Sequence, residues 1–275
     1  MKRPRPVPSV ASNWFLAVDA GNTRTKFGVF WEADCLAPAA RSLPICRGFW
    51  AIGVDELLPW ETFANSGFLG DPVAAVLTGS NPVALDRLQQ SWPNPWPSAV
   101  RRSDPQSFPI VLQVDAPDRV GIDRVLNAVA GNHLRPADTA AIIVDSGTAL
   151  TVEVVSAAGA FIGGSISPGL NLGARALYQY TALLPEISRK ELESQTPAAI
   201  GKNTIDALRA GLYWGHVGLV REIVQQISRT LPPPRPLLLL TGGAGPLLAP
   251  HFPEARLEQS LSLQGIAVSH YAKQS

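Results

Sequence analysis

Two short segments of this chain place a carboxylate, a glycine and hydroxyl side chains in the order expected of a phosphate-binding turn. The first consists of Asp19, Ala20, Gly21, Asn22, Thr23, Arg24, Thr25 and Lys26. The glycine lets backbone amides approach an anion and the lysine adds a cation, so the segment can hold phosphate oxygens without a Walker sequence. Asp19 is an oxygen ligand suited to Mg²⁺, directly or through water. For this segment alone, an ordinary hairpin turn is an equal alternative, because turns also favour Asp, Gly and Asn.

The second segment repeats this pattern nearly half a chain length later. Asp145, Gly147 and Thr148 stand in the same order, and Val-Asp-Ser-Gly at 144–147 matches Val-Asp-Ala-Gly at 18–21. Each copy follows apolar residues that are typical of a buried strand. Because coincidence explains one such turn more easily than two, the pair favours duplicated halves that clamp phosphates from two sides.

A third segment could supply a base. It consists of Gly121, Ile122, Asp123 and Arg124, with Asn127 four residues after the aspartate and so on the same helix face. Asp123 falls in the first turn of a predicted helix, where the dipole favours its ionised form. In a phosphotransferase, Asp123 could take a hydroxyl proton while Arg124 binds an anionic group of the acceptor. The alternative is a common N-terminal acid beside a solvated arginine.

Two further glycine-rich segments follow apolar stretches. Residues 163–169 contain three glycines and a proline, which predicts an irregular loop. Gly242 and Gly243 follow the apolar run 237–240. Open α/β sheets bind ligands at the carboxyl ends of their strands, so this second position favours contact with a nucleotide. A plain loop is the alternative in both places.

The hydrophobic pattern predicts the elements that position these segments. Strands are predicted over residues 14–18, 25–31, 74–77, 140–144 and 237–240, and helices over 83–90, 122–133 and 204–229. The long helix 204–229 can be capped by Asn203 or Thr204. Its glycines at 211, 215 and 218 lower helix propensity and therefore predict a close approach of another backbone.

A strand–turn–strand unit that occurs once in each half predicts an α/β fold with two lobes. We expect residues 14–136 to form the N-terminal lobe, with the first phosphate segment and Asp123. Residues 137–275 would form the C-terminal lobe, with the second phosphate segment. Residues 1–13 are basic and proline-rich but lack the apolar stretch of a signal peptide, so they predict a disordered tail.

Composition excludes several classes of protein. Hydrophobic residues make up 46% of the chain and the formal net charge is +1, which predicts a sizeable core and no basic surface for nucleic acid. No apolar run approaches the roughly 20 residues that span a bilayer, so no membrane contact is expected. Cys35 and Cys46 stand without a CxxC motif and indicate reduced thiols in a cytoplasmic protein. The four histidines show neither metal-ligand nor triad spacing.

Taken together and in order, these segments resemble the motifs of type III pantothenate kinases. Residues 19–26 resemble the first phosphate motif, residues 121–124 with 127–130 the substrate motif, and residues 144–151 the second phosphate motif. Further segments that match in order are 163–169, 183–185, 200–204, 241–244 and 261–265, so the resemblance spans residues 15–271.

The resemblance implies two ribonuclease-H-like lobes with mixed sheets and flanking helices, duplicated around a central cleft. It implies transfer of the γ-phosphate of ATP to the primary hydroxyl of pantothenate, which gives 4'-phosphopantothenate in the first step of coenzyme A synthesis. Mg²⁺ and a monovalent cation, K⁺ or NH₄⁺, are implied as cofactors. A homodimer with its sites near the interface is implied as the assembly.

The resemblance also implies roles for single residues. Asp123 would be the base. Asp145 would bind the monovalent cation, and Asp19 would hold Mg²⁺ through the phosphates. Contacts with ATP would come from residues 19–26 together with Thr148, Gly242 and Gly243. Contacts with pantothenate would come from Gly121, Ile122, Asp123, Arg124 and Thr204, and from position 114, which is Val114 in this chain.

Two departures from the family pattern leave alternatives open. Val114 stands where the family commonly has a tyrosine, seven residues before Gly121, and a stretch around 188–197 is longer than usual. Val114 supports a kinase that phosphorylates another small hydroxy acid. A non-catalytic relative that acts as a regulator is the third hypothesis, and the presence of Asp19, Asp123 and Asp145 argues against it.

Overall fold

The computed structural model describes residues 13–36, 41–64 and 70–272. The predicted tail, residues 1–13, lies outside this part of the chain except for Asn13. No helix in these three ranges is long and apolar enough to cross a membrane. Cys35 and Cys46 are free thiols, as predicted. Burial raises the pKa of Cys35 to about 12 and that of Cys46 to about 11, so neither is a ready nucleophile.

Chain contacts divide the described residues into two units. The first contains the described parts of Met1–Pro109 and Ser260–Ser275 together with Ala116–Leu134. The second contains Ile110–Asp115 and Arg135–Gln259. Each unit is built on its own five-stranded sheet.

The first sheet has the strand order β3-β2-β1-β4-β5. Its strands are β1 (Trp14–Ala20), β2 (Arg24–Trp31), β3 (Cys46–Gly53), β4 (Ala74–Thr78) and β5 (Val100–Arg101). The pairs β1–β2 and β2–β3 are antiparallel, whereas β1–β4 and β4–β5 are parallel. Every residue of β1 is buried, as its continuous apolar run predicts for a central strand.

The second sheet repeats this plan with the order β10-β9-β6-β7-β8. Its strands are β6 (Ala141–Ser146), β7 (Ala149–Val155), β8 (Phe161–Pro168), β9 (Leu237–Thr241) and β10 (Arg256–Leu257). The pairs β6–β7 and β7–β8 are antiparallel, and β6–β9 and β9–β10 are parallel. β6 thus corresponds to β1, which confirms both the predicted α/β class and the predicted duplication.

Helices and short helical turns complete both units. The helices are α1 (Glu32–Leu36), α2 (Trp60–Ala64), α3 (Pro82–Gln90), α4 (Ile122–Leu134), α5 (Leu170–Tyr180), α6 (Arg189–Glu193), α7 (Thr204–Thr230), α8 (Gly245–Leu248) and α9 (Leu261–Tyr271). Short 3₁₀ turns cover Pro105–Ser107, Pro117–Arg119 and Ala249–His251. Asn203 caps α7, since its Oδ1 accepts from the amide of Asp206 at 2.9 Å.

Alternation along β1 decides which side chains face which helices. Trp14, Leu16 and Val18 belong to an apolar cluster with residues of α2 and α3. Phe15 faces the opposite way, where it stacks on the ring of His270 and meets the ring of Tyr271 edge to face, at the end of α9. Because side chains alternate along a strand, Asp19 shares the face of Phe15 and is directed towards α9.

The predicted lobe boundary between residues 136 and 137 lies close to the division at Leu134 and Arg135, but two segments depart from it. Helix α9 groups with the first unit because it packs on α4, β1 and β2. Gly265 permits this packing, since a side chain there would collide with the backbone of Leu126. Ile110–Asp115 groups with the second unit because Gln113 donates to the carbonyl of Phe161 at 2.8 Å.

Two local predictions are wrong. Residues 163–168 belong to strand β8 rather than to an irregular loop. Gly163 and Gly164 adopt φ values of 102° and 152° there, and the β7–β8 register shifts between Glu153 and Val155, so these glycines accommodate a bulge. The glycines of α7 meet no backbone of another described element, because nothing apart from the helix's own nearby residues lies within 4 Å of a Cβ placed at residues 211, 215 or 218.

Candidate functional site

The first predicted phosphate segment forms the hairpin between β1 and β2. The amide of Gly21 donates to the carbonyl of Arg24 at 3.0 Å and closes the turn. Asp19 and Lys26 are paired across the two strands. Residues 22–24 are exposed at the tip, whereas Thr25 is buried. The hairpin therefore presents an exposed tip with polar side chains next to a buried carboxylate and a lysine.

Asp19, the acid of this hairpin, is buried, with 2% of its surface exposed. Its Oδ2 lies 3.5 Å from Lys26 Nζ and accepts a hydrogen bond of 2.8 Å from Ser262 Oγ on α9. Its Oδ1 is buried and has no hydrogen-bond partner within the described part of the chain. A buried charged oxygen without a partner is unfavourable, so this atom is suited to a cation or to a water bound to one.

The end of strand β4 supports the same turn. Gly79 has φ of 137°, and a Cβ there would collide with the backbone of Ala20. The backbone amide of Asn81 donates to the carbonyl of Ala20 at 3.0 Å. The side-chain Oδ1 of Asn81 accepts from the backbone amide of Ala84 and caps α3. The sequence interpretation assigned no role to Asn81. Its position directly before Pro82, after a strand, is the signal that could have indicated a helix cap.

The second predicted phosphate segment forms the equivalent hairpin between β6 and β7. The amide of Gly147 donates to the carbonyl of Ala149 at 3.0 Å. Gly169 lies against this turn so closely that a side chain would collide with the carbonyls of Gly147 and Thr148. Its own amide donates to the carbonyl of Thr148 at 3.1 Å, which fixes the turn from the start of α5. The side chain of Thr148 is exposed.

The glycines after β9 lie beside Asp145. Gly242 has φ of 83°, and a Cβ there would collide with Asp145 Oδ1. Ala244 donates from its amide to the carbonyl of Ser146 at 3.0 Å, which holds the loop against the end of β6. Gly243 faces Arg189 of α6, whose Nη2 donates to the Gly243 carbonyl at 3.0 Å. The structure thus brings Asp145, the second turn and the Gly242–Gly243 loop together within the second unit.

The third predicted segment forms the start of α4 in the first unit. Asp123 is half-buried, and its Oδ1 accepts from the amide of Arg124 at 2.9 Å. A Cβ at Gly121 would lie 2.7 Å from this carboxylate oxygen, so a larger residue there would displace the Asp123 side chain from this position. Asn127 is buried and Arg124 is half-buried. The acid is therefore held in the first helical turn, as predicted.

Comparison with known proteins identifies the family. A family model described as type III pantothenate kinase matches residues 15–226 of this chain. The chain belongs to the type III pantothenate kinase family. Relatives named type III pantothenate kinase include one from Cereibacter sphaeroides (strain ATCC 17025 / ATH 2.4.3), with 33% identity over 93% of this chain and 96% of its own. Another, from Acidiphilium cryptum (strain JF-5), has 35% identity over 91% of this chain and 92% of its own.

Solved structures show the same fold at low identity. A Campylobacter jejuni protein described as a Baf family transcriptional activator matches with a TM-score of 0.56 and 18% identity, over 94% of this chain and 98% of that one. The activator of 2-hydroxyisocaproyl-CoA dehydratase from Clostridium difficile, with bound ADPNP, matches with a TM-score of 0.54 and 14% identity. The match covers 94% of this chain and 95% of that one. These likenesses bear on the fold alone.

Thr204 and Val114 of the predicted pantothenate set belong to the second unit, whereas Gly121 belongs to the first. Thr204 is the first residue of α7 and is exposed. Beside it is a cavity of about 260 Å³, lined in part by Lys202, Asp206 and Arg209. Val114 is half-buried and lies 3.8 Å from the position of a Cβ on Gly163. The stretch around 188–197 contains α6 and part of the wall of this cavity.

One histidine has a place that its spacing did not indicate. His216 of α7 is buried, and its Nε2 lies 2.8 Å from Ser146 Oγ, directly after Asp145. Burial lowers the pKa of His216 below its usual range, which favours the neutral ring. No group of three or more His, Cys, Asp or Glu side chains within residues 13–36, 41–64 and 70–272 is arranged to hold a metal ion.

Proposed function

We propose that this chain transfers the γ-phosphate of ATP to the primary hydroxyl of pantothenate, the reaction that opens coenzyme A synthesis. The observation that carries the proposal is the duplicated hairpin, in which Asp19 and Asp145 end corresponding central strands beside glycine turns. Phosphoryl transfer depends mainly on positioning and on charge stabilisation, and this arrangement supplies both in a chain of the pantothenate kinase family.

The first hairpin is proposed to hold the ATP phosphates. Residues 19–26 offer backbone amides, short polar side chains and Lys26. The unpartnered Oδ1 of Asp19 fits Mg²⁺, which binds few carboxylates and keeps waters and phosphate oxygens as its other ligands. When bound, Mg²⁺ would neutralise charge that develops on the phosphates. In the second unit, Thr148, Gly242 and Gly243 would contact the nucleotide.

Asp145 is proposed to hold a monovalent cation, K⁺ or NH₄⁺. It is half-buried at the end of β6, and the residue paired with it on β7 is Thr151 rather than a lysine. A Cβ on Gly242 would collide with Asp145 Oδ1 and would lie 2.6 Å from the Ser146 carbonyl oxygen, so these two oxygens lie close together beside the loop. A singly charged, weakly hydrated cation suits such a site.

Asp123 is proposed to be the base that takes the proton of the pantothenate hydroxyl. The Arg124 amide holds its Oδ1, so the carboxylate keeps one orientation in the first turn of α4. Arg124 would bind the pantothenate carboxylate, because a guanidinium can donate two parallel hydrogen bonds to it. Ile122 and Gly121 would shape the same end of the site. Thr204 would contribute a hydroxyl.

The enzyme is also proposed to be a homodimer. Residues 211, 215 and 218 of α7 recur at helical spacing, and no other described element lies within 4 Å of a Cβ placed there. Trp214 and Leu219 of the same helix are 37% and 36% exposed. Small residues flanked by exposed apolar side chains allow two copies of a helix to approach closely. Sedimentation of Gly215→Glu should show monomers where the native chain shows dimers, and an unchanged mass would refute this face as the interface.

Formation of ADP with and without pantothenate tests the function directly. We expect ADP to form only when pantothenate is present, and Asp123→Asn to lower turnover by roughly 10²–10⁴-fold, the usual worth of a general base, with little change in ATP binding. Asp118→Asn, which removes an exposed acid from the preceding 3₁₀ turn, is the matched control. Turnover close to native in Asp123→Asn would remove Asp123 from this role.

Val114 supports one alternative, a kinase of another small hydroxy acid. It occupies a place beside Gly163 where the family commonly has a tyrosine. A panel of acceptors, with pantothenate among them, separates the two functions by the ratio kcat/KM.

Arg124→Gln should raise the KM for pantothenate by about 10–150-fold and leave the KM for ATP nearly unchanged. A normal pantothenate KM in that variant would contradict the carboxylate assignment.

A further inference from the structure

A buried hydroxyl from the far end of the chain contacts the first phosphate hairpin. Ser262, in the first turn of α9, has 4% of its surface exposed. Its Oγ donates to Oδ2 of Asp19 at 2.8 Å. A hydrogen bond between a buried hydroxyl and a carboxylate is stronger than one between neutral groups. The side chain is therefore placed to influence Asp19 rather than to fill space.

This contact gives the two oxygens of Asp19 different tasks. Oδ2 accepts from Ser262 and lies 3.5 Å from Lys26 Nζ, so its partners are protein groups. Oδ1 is buried without a hydrogen-bond partner among the residues that the structure describes. With Oδ2 held from two directions, the carboxylate has little freedom to rotate, and Oδ1 stays available for a ligand.

Helix α9 holds Ser262 in a fixed position. Gly265, one turn later, lies directly against the backbone of Leu126 in α4. Gln264 Nε2 donates to the carbonyl of Pro44 at 3.1 Å. These contacts restrict both sliding and rotation of the helix, so the hydroxyl is presented to Asp19 by rigid structure.

We propose that Ser262 is a positioning residue that orients Asp19 for the Mg²⁺ complex of ATP. The inference rests on the proposed function, in which Asp19 faces the metal. Ser262 does not touch substrate in this account. Its effect passes through the carboxylate, so its loss should weaken metal-dependent nucleotide binding and leave metal-independent binding unchanged.

The test compares Ser262→Ala with Ser269→Ala by calorimetric titration of a non-hydrolysable ATP analogue. Ser269 is a matched control because it is a buried serine of the same helix, whose Oγ donates to the Gly265 carbonyl at 2.7 Å. With Mg²⁺ present, Ser262→Ala should bind the analogue roughly 10- to 100-fold more weakly than the native chain, the range of a hydrogen bond to a charged group. With EDTA present, Ser262→Ala and the native chain should bind the analogue equally.

Ser269→Ala should bind the analogue as the native chain does under both conditions, with only a lower melting temperature. Ser262→Thr, which keeps the hydroxyl, should regain most of the affinity in Mg²⁺. If Ser262→Ala does not fold, Ser262→Cys replaces it, because a thiol is of similar size and is a weak donor.

Asp19→Asn separates the two ways in which this account could fail. If Asp19→Asn loses Mg²⁺-dependent binding but Ser262→Ala behaves like Ser269→Ala, the positioning role is wrong and the proposed function stands. If neither Asp19→Asn nor Ser262→Ala changes that binding, Asp19 does not face the metal and the assignment beneath the inference is wrong.

Discussion

The two hairpins of this protein have the same frame and different surroundings. Asp19 of β1 is in register with Thr78 on the parallel strand β4, and Asp145 of β6 is in register with Thr241 on β9. A glycine with positive φ follows each threonine, Gly79 in one unit and the next residue after Thr241 in the other. Each of these glycines packs on the strand end that carries the aspartate.

The difference lies in what surrounds the two carboxylates. Asp19 is almost fully buried, pairs with a lysine and accepts from a serine of α9, whereas Asp145 is half-buried. In the second unit the corresponding helix contact is made one residue later, between Ser146 and His216 of α7. A duplicated backbone thus serves two electrostatic environments. In the proposed function, the first would hold Mg²⁺ with phosphates and the second a monovalent cation.

Among the variants that compare the two hairpins, the largest effect is expected from Asp19→Asn, which keeps the shape and removes the charge. Turnover should fall by roughly 10²–10³-fold, as when one preorganised electrostatic group is removed from an active site. Asp86→Asn is a suitable control because Asp86 is an exposed acid of the same unit whose Oδ1 pairs with Arg101. Steady-state rates measure both. Equal rates for Asp19→Asn and Asp86→Asn would mean that the charge of Asp19 does not contribute to turnover.

The shared frame can be tested at the two glycines. Gly79→Ala and Gly242→Ala should each destabilise the fold by about 1–3 kcal/mol or more, because each places a Cβ on backbone atoms at positive φ. Gly173→Ala, inside α5, meets only the end of Leu212 at 3.4 Å and should stabilise by up to about 1 kcal/mol. Urea unfolding measures all three. A neutral result at either strained glycine would show that the two frames are not equivalent.

Local pattern was sufficient to predict the parts of this fold that depend on neighbours in sequence. The apolar run before Asp19 and the glycine after it specify a buried strand and a turn, and the same holds at Asp145. Local pattern also predicted correctly that Asp123 lies in the first turn of α4. The family match confirms the resemblance on which the remaining roles depended.

The features that the sequence did not predict depend on contacts between distant parts of the chain. Ser262 lies 243 residues from Asp19 in sequence, and nothing local to it indicates a carboxylate partner. The sequence interpretation gave Gly265 only a place in the matching segment 261–265, whereas in the structure it lets α9 approach Leu126. The glycines of α7 were expected to do the same and do not do so within the described chain. Propensity alone cannot tell a crossing of two helices from an exposed face.

The helix contact of the second hairpin predicts a pH dependence. Burial lowers the pKa of His216, so the unfolded chain binds more protons than the folded one when pH falls below about 6.5. The contribution of the neutral ring is complete above that value and is lost as pH falls towards the lower, folded pKa. The stability difference between native and His216→Gln should therefore shrink between about pH 7.5 and pH 5.5. A constant difference would contradict a buried neutral imidazole.

The smallest effect is expected from Thr78→Val. The Oγ1 of Thr78 is buried without a hydrogen-bond partner among the described residues, so replacing it with a methyl group removes an unsatisfied polar atom. The free energy of unfolding should change little or increase slightly. Denaturant melts of this variant measure it. A loss of more than about 1 kcal/mol would mean that the hydroxyl has a structural partner, such as an ordered water.

The central claim is that the two hairpins bind different cations, and the rate in K⁺ relative to Na⁺ tests it most directly. Pantothenate-dependent ADP formation should be faster in K⁺ than in Na⁺ for the native chain. Asp145→Asn should abolish this preference, whereas Asp19→Asn should lower both rates and keep their ratio. A K⁺ preference that survives in Asp145→Asn, or that disappears in Asp19→Asn instead, would contradict the assignment of the two sites.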